Sequence, residues 1–296
     1  MNYRRLWNII KEKSYEGLKM CDKGKVVSFI NMKGGVGKTT LCLGLGEYLA
    51  HYKNMKILFI DLDPQFNLTQ SVMNYYNLDE EYMQDYSVNN VTVKRIFETP
   101  TMISETPKLP SAEEIILNLD DKISIIAGTI NLIFEDNNKS NSASRRVKKF
   151  IEDNKLKDSF DYIFIDCPPT ISLYTDSALI ASDYYLIPVK VDRYSILGIK
   201  LLNQVVERLR FDETLELECL GIIYTTMDPE PTAKTEKIML ALEESEIVKS
   251  VGIFENRTYF VRDLMVGLQG NISSKYTASR EDMELVCNEF IRRFGA

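Results

Sequence analysis

The chain is poor in histidine and cysteine, the side chains that most often ligate transition metals. Its 296 residues hold one histidine, His51, and five cysteines scattered singly. A lone histidine excludes histidine-rich zinc sites, and His51, expected exposed at a helix end, offers no nucleophile partner to Cys167. Cys21, Cys42, Cys167, Cys219 and Cys287 are odd in number and form no C-x-x-C pair, which reads as reduced cytoplasmic thiols and not as a disulfide frame. No apolar run reaches the roughly 18 residues that span a bilayer, and the charged N-terminus has no apolar signal segment. Basic charge is not in excess: 36 Lys and Arg face 43 Asp and Glu, a net charge of −7, so contact with nucleic acid would need a local patch. Two runs offer one, residues 1–25 with Arg4, Arg5, Lys11 and Lys13, and residues 139–157 with Arg145, Arg146, Lys148 and Lys149; either also reads as a solvated helix face.

Apolar strand-like runs recur at 26–30, 57–60, 123–126, 162–165, 185–189 and 220–225, with amphipathic stretches between them, among them 41–52, 195–209, 232–242 and 280–293. Continuous apolar strands alternating with helices predict an α/β fold, a doubly wound, mostly parallel sheet with helices on both faces. One domain is expected over 24–296. A polar, tyrosine-rich insertion at about 73–110 is broken by Pro100, Pro107 and Pro110, and a basic extension at 1–23 holds one amphipathic helix around Leu6, Trp7 and Ile10.

The segment Lys33-Gly34-Gly35-Val36-Gly37-Lys38-Thr39-Thr40 follows a strand and opens a helix. Glycines there let backbone N–H groups converge on phosphate oxygens at a helix N-terminus, with Lys38 reaching the β/γ-phosphates and the Thr39 hydroxyl a Mg²⁺ ion. Met32 stands where the ordinary phosphate loop has glycine, and Lys33 precedes the glycine pair. In this the chain resembles the deviant Walker A ATPases of the ParA/MinD family, over nearly all of residues 24–294. The resemblance implies ATP and Mg²⁺ as cofactors, and a Lys33 that crosses a dimer interface to the partner's nucleotide. Asp61 and Asp63 in Ile57-Leu58-Phe59-Ile60-Asp61-Leu62-Asp63-Pro64-Gln65 look like the family's second motif, both expected at the triphosphate: Asp63 positions the attacking water and Asp61 binds the Mg²⁺ water shell. Asp166, ending Phe160–Asp166, matches the Walker B carboxylate that holds the metal's hydration shell. Met227 and Phe254 fall near where the adenine ring is held in the family.

ParA relatives move DNA. The resemblance therefore implies an ATP-bound homodimer that binds DNA without sequence preference on the nucleoid, and a centromere-binding adaptor that stimulates slow hydrolysis. Candidate phosphate contacts on DNA are Lys234, Lys237, Lys249, Arg257, Arg262 and Lys275. The main alternative is a MinD-like ATPase on the membrane surface, for which the aromatic and arginine-bearing tail 289–296 is the feature to weigh. Against it, Met283, Val286, Phe290, Ile291 and Phe294 share one face of the last helix, which suits packing on the core. An iron–sulfur relative lacks a convincing cysteine pair, and a small-molecule kinase fits the second motif poorly.

Overall fold

The computed structural model describes residues 23–98, 108–135, 141–267 and 271–294. The helix expected around Trp7 lies outside the described residues. A seven-stranded sheet in the order β3-β4-β2-β5-β1-β6-β7 forms the middle layer. Its strands are β1 (Lys25–Phe29), β2 (Ile57–Asp61), β3 (Leu117–Asn118), β4 (Ile123–Ile126), β5 (Tyr162–Asp166), β6 (Tyr184–Val189) and β7 (Glu218–Tyr224). All pair in parallel except β3, a short edge strand antiparallel to β4. Each apolar run expected to be a strand is one; β3 escapes the pattern because two residues carry no period.

Successive side chains of each strand feed opposite cores, as the period of two requires. On one face Leu58, Ile60, Ile163, Ile165 and Ile187 pack under helices that include α3 (Arg146–Asp153), α4 (Leu173–Ala181), α5 (Ser195–Glu213), α6 (Ala233–Glu243) and α7 (Glu246–Val251). On the other, Phe29, Phe59, Phe164 and Leu186 meet α1 (Lys38–Lys53), α2 (Asn67–Tyr76) and α8 (Thr277–Arg293). Phe164 is the hub of this second core, with ring centroids 4.9 Å from Phe29 and 5.8 Å from Phe290. The last helix is thus clamped onto the sheet: Phe294 packs on Tyr184, and Arg293 donates to the carbonyls of Leu220 and Ile253 at 2.7 and 2.8 Å. Among the described residues of the tail, Phe290 is buried and Ile291 and Phe294 are half-buried against the sheet. No helix among the described residues is long and apolar enough to cross a membrane.

The described residues of the 73–110 stretch include the short helices Asp79–Glu81, a single π turn Tyr82–Tyr86, and Lys94–Phe97. It is tied to the body by Tyr82, whose hydroxyl donates to the Gly128 carbonyl at 2.6 Å, and by buried Ile96 and Phe97. The basic run 139–157 is partly spent on structure: Arg145 pairs with Glu213 at 2.7 Å and Arg146 turns inward to the Glu98 carbonyl at 2.6 Å.

Helix α1 reaches the sheet only because Gly46 is bare: a Cβ there would sit 2.3 Å from Cζ of Phe59 and 3.2 Å from Cδ2 of Phe164. Gly46→Ala gains at most about 1 kcal/mol in helix propensity. Overpacking against two immobile rings costs roughly 1–3 kcal/mol. Urea titration should therefore show a net loss of up to about 2 kcal/mol; a stabilised variant would mean that the rings give way easily.

Candidate functional site

The topology gathers the motif residues. β1 lies between β5 and β6, so three strands far apart in sequence end side by side at the carboxyl edge, the usual ligand position in doubly wound sheets. In the ladder Asp166 stands opposite both Phe29 and Asp61, which puts the ends of β1, β2 and β5 in one row.

The loop leaving β1 is bracketed from β6 and β7. Asn31 donates its side-chain amide to the Pro188 carbonyl at 2.8 Å and accepts from the Lys33 amide at 3.1 Å, while Thr225 donates its hydroxyl to the Val36 carbonyl at 2.6 Å. Gly35 and Gly37 have φ of 69° and 78°, a left-handed backbone that side chains resist, and nothing lies within 4 Å of a Cβ built on Gly34 or Gly35. The loop is open where phosphates would approach. With Lys38, Thr39, Thr40, Asp63, Pro169 and Lys190 it lines an open cavity of about 920 Å³.

The three aspartates take different positions. Asp63 lines the cavity and accepts from the Gln65 amide at 2.9 Å. Asp61, expected beside it at the triphosphate, is fully buried, with one oxygen accepting from the amide and hydroxyl of Thr69 at 2.9 and 2.7 Å and the other from the Asp63 amide at 3.2 Å. Thr69 in turn accepts from the Gly128 amide at 2.8 Å, so Asp61 locks α2 and the end of β4 to β2. Asp166 accepts the Thr39 hydroxyl on Oδ2 at 2.6 Å, and its Oδ1 is buried with no hydrogen-bond partner. Burial pushes the Asp166 carboxyl up to about 7, with the Thr39 hydrogen bond and the Lys38 charge pulling the other way. Burial, and then the Asp166 charge, raises Asp61 well above the carboxylate range.

Lys38 is buried and faces the cavity. Lys33 does not line its own cavity; it makes an ion pair with Asp192, which is held at the start of α5 by the Tyr194 amide at 2.8 Å. Burial and then the charge of Lys190 lower the Lys33 pKa. At the far end, by Gly37 and Thr40, the lining is Thr226, Phe260, Met265 and Asn271. Met227 and Phe254, expected near adenine, are instead core residues: the Phe254 ring lies under the Arg293 guanidinium at 3.9 Å, and Met227 is buried with its backbone paired to Thr258 and Phe260. Thr226, between them in role, has φ of 51°, costly for a β-branched residue, and a buried hydroxyl without a partner.

The DNA candidates do not form one patch. Lys234 and Lys237 line a groove of about 360 Å³ with Arg193, on the face covered by α5 and α6. Lys275 lies over Tyr75, 4.6 Å from its ring centroid, on the opposite face of the sheet. Lys249 pairs with Glu246 at 3.7 Å, Arg257 lies 6.0 Å from the Tyr224 ring, and Arg262 begins the short helix Arg262–Val266.

Comparison with known proteins agrees with this geometry. The sequence pattern of a family described as an AAA domain matches residues 24–218. The chain is similar to the sporulation initiation inhibitor protein Soj of Bacillus subtilis, 32% identical over 223 residues that cover 75% of this chain and 78% of that protein. Its fold is similar to that of a putative plasmid partition protein from Borrelia burgdorferi B31 bound to AMPPNP, with a TM-score of 0.71 and 22% identity over 92% of this chain and 99% of that one. It is also similar to cobyrinic acid a,c-diamide synthase from Mycobacterium smegmatis with bound ATP analogue and magnesium, with a TM-score of 0.70 and 19% identity over 92% and 96% of the two chains. At such identities the two structures establish a shared fold.

The raised Asp166 carboxyl makes a signed prediction for protein free of nucleotide and metal. Folded Asp166 keeps its proton at pH values where the unfolded side chain, near 3.8, has lost it, so its contribution is full below about pH 4 and declines as pH rises through about 7. Between about pH 5 and pH 8 the wild-type melting temperature should fall by a few degrees relative to Asp166→Asn. Parallel pH profiles would show that the carboxyl is not desolvated as described.

Proposed function

The chain belongs to the ParA/MinD family of ATPases, and on that premise we propose that it is an ATP-driven switch for DNA partitioning. In this reading the ATP state is a homodimer that holds DNA without sequence preference. Slow hydrolysis, accelerated by an adaptor protein bound at a centromere-like site, releases it. The observation that carries the reading is the division of labour between two lysines of one loop. Lys38 faces the cavity of its own subunit, whereas Lys33 is turned away from it and engaged by Asp192. A loop lysine that leaves its own site unserved is available to another copy's.

Magnitudes favour the exchange. Lys33 and Asp192 are 28% and 40% exposed, and pairs so wet contribute about 0–1 kcal/mol. A charge-assisted hydrogen bond to a phosphate is worth about 1.5–3 kcal/mol. The residues also suit Mg²⁺. The unpartnered Asp166 Oδ1 beside the Thr39 hydroxyl is a place for an ion and its water. Among the described residues no three His, Cys, Asp or Glu side chains form a ready cage, which matches a cation that keeps waters and takes substrate phosphates as ligands. Thr39 would hold it directly and Asp166 through water; when bound it supplies positive charge against the phosphate oxygens. Lys38 anchors the phosphates, the open glycine loop donates its amides, and Asp63 orients the attacking water at the terminal phosphate. For DNA, Lys234, Lys237 and Arg193 are the cations the fold brings together, doubled by the twofold axis of a dimer.

Two variants separate the roles. With saturating ATP and Mg²⁺, Asp63→Ala should sediment as a persistent dimer with hydrolysis reduced by about 100-fold or more, while Lys33→Ala should stay monomeric. A monomeric Asp63→Ala, or a Lys33→Ala that dimerises normally, would remove the assigned roles. The partitioning output is read by titrating duplex DNA with ADP, ATP and ATPγS across salt. Binding confined to the triphosphate states and weakening steeply with salt is expected; equal DNA affinity in ADP and ATPγS sinks the reading.

A further inference from the structure

The phosphate end of the cavity holds a cation that belongs to none of the recognised motifs. Lys190 follows β6, and its backbone is fixed by its surroundings. The Pro188 carbonyl accepts from Asn31 at 2.8 Å, the Val189 carbonyl accepts from the Thr225 amide at 2.9 Å, and the Lys190 carbonyl accepts from the Ser195 hydroxyl at 2.7 Å. Its side chain lines the same cavity as Gly34, Gly35, Lys38 and Asp63. Through Asn31 it is tied to the opening residues of the loop, whereas Thr226 lies by Gly37 and Thr40 at the loop's helix end.

The charges around it do not balance. Lys33 is matched by Asp192, and the Lys38 charge acts on the buried Asp166. Lys190 makes no ion pair among the described residues, and the acid two positions on is already engaged by Lys33. Lys190 and Lys33 oppose each other electrostatically across the loop. An anion placed between the loop's opening glycines and β6 would relieve that repulsion and give Lys190 its only counter-charge.

We propose that Lys190 contacts the terminal phosphate of bound ATP from within the same subunit, so that a single subunit tells ATP from ADP before a partner's Lys33 arrives. This rests on the reading that the cavity takes ATP. The diphosphate ends short of Lys190 and leaves it in water; the triphosphate reaches it. Lys33 is then needed for closure of the dimer and not for recognition of the nucleotide state, and the switch commits in two steps.

The experiment uses the full chain in the Lys33→Ala background, at concentrations where sedimentation shows monomer. Fluorescent ATPγS and fluorescent ADP are titrated with Mg²⁺ present. The parent should prefer the triphosphate. Lys190→Gln, which keeps length and polarity but removes charge, should lose about tenfold in ATPγS affinity with ADP affinity held within about twofold. Lys190→Arg should retain most of the preference. Equal affinities in the parent, or a loss in Lys190→Gln that falls equally on both nucleotides, overturns the proposal; melting of the variants checks that the fold is intact. A chain that binds neither nucleotide defeats the ATP-switch reading itself. A chain whose native form binds ATP and dimerises while Lys190→Gln keeps the full triphosphate preference defeats the role of Lys190 alone.

Discussion

Two buried carboxylates in register, Asp61 and Asp166, set the terms for everything around them. Neither touches water, and at such closeness two ionised acids cannot coexist without nearby positive charge or dense hydrogen bonding. The fold answers differently for each. Asp61 is satisfied within the chain by Thr69 and the Asp63 amide, and so becomes a structural clasp. Asp166 is left half satisfied, with one oxygen on Thr39 and the other on nothing. The asymmetry leaves one acid fully engaged by the chain and the other with an oxygen that no side chain or amide satisfies.

The loop inherits its precision from this row of strand ends. Asn31 and Thr225 pin it to β6 and β7, two strands whose own continuations carry Lys190, Asp192 and Thr226. A shift in the loop on taking phosphate is therefore felt at the Lys33–Asp192 pair on one side and at Thr226 on the other. Asp192 also orders the first turn of α5, whose opening residues line the groove with Lys234 and Lys237. Asp192 thus joins the loop lysine to the helix that packs beside Lys234 and Lys237 of α6.

What could be read from the residues alone was whatever is local. The strands, the glycine loop, the helix after it and the acids at strand ends each announce themselves within about ten positions, through period and spacing. Asp63, Asp166, Lys38 and Thr39 stand out as candidates for that reason. Asp61 was legible as an acid but not in its hydrogen bonds, because Thr69 reaches it only once α2 folds back. Lys190 carries no motif; its place beside Lys33 comes from β6 lying next to β1, a pairing of strands far apart in sequence. Phe254 looked available from the sequence, yet Arg293 and the final helix cover it. The six basic candidates could not be sorted by sequence at all, since the sheet divides them between two faces.

The strength of the Lys33–Asp192 pair is itself informative. Had it been buried and bidentate, freeing the lysine would leave an uncompensated buried charge, at several kcal/mol, and no phosphate contact would recover that. Had there been no acid at all, Lys33 would lie free beside Lys190 and Lys38, adding repulsion to a cavity that must remain folded without an anion. A partly exposed pair avoids both extremes. It steadies the loop at a fraction of the energy that a charge-assisted hydrogen bond to a phosphate would bring, so the pair is weak enough to be exchanged for one.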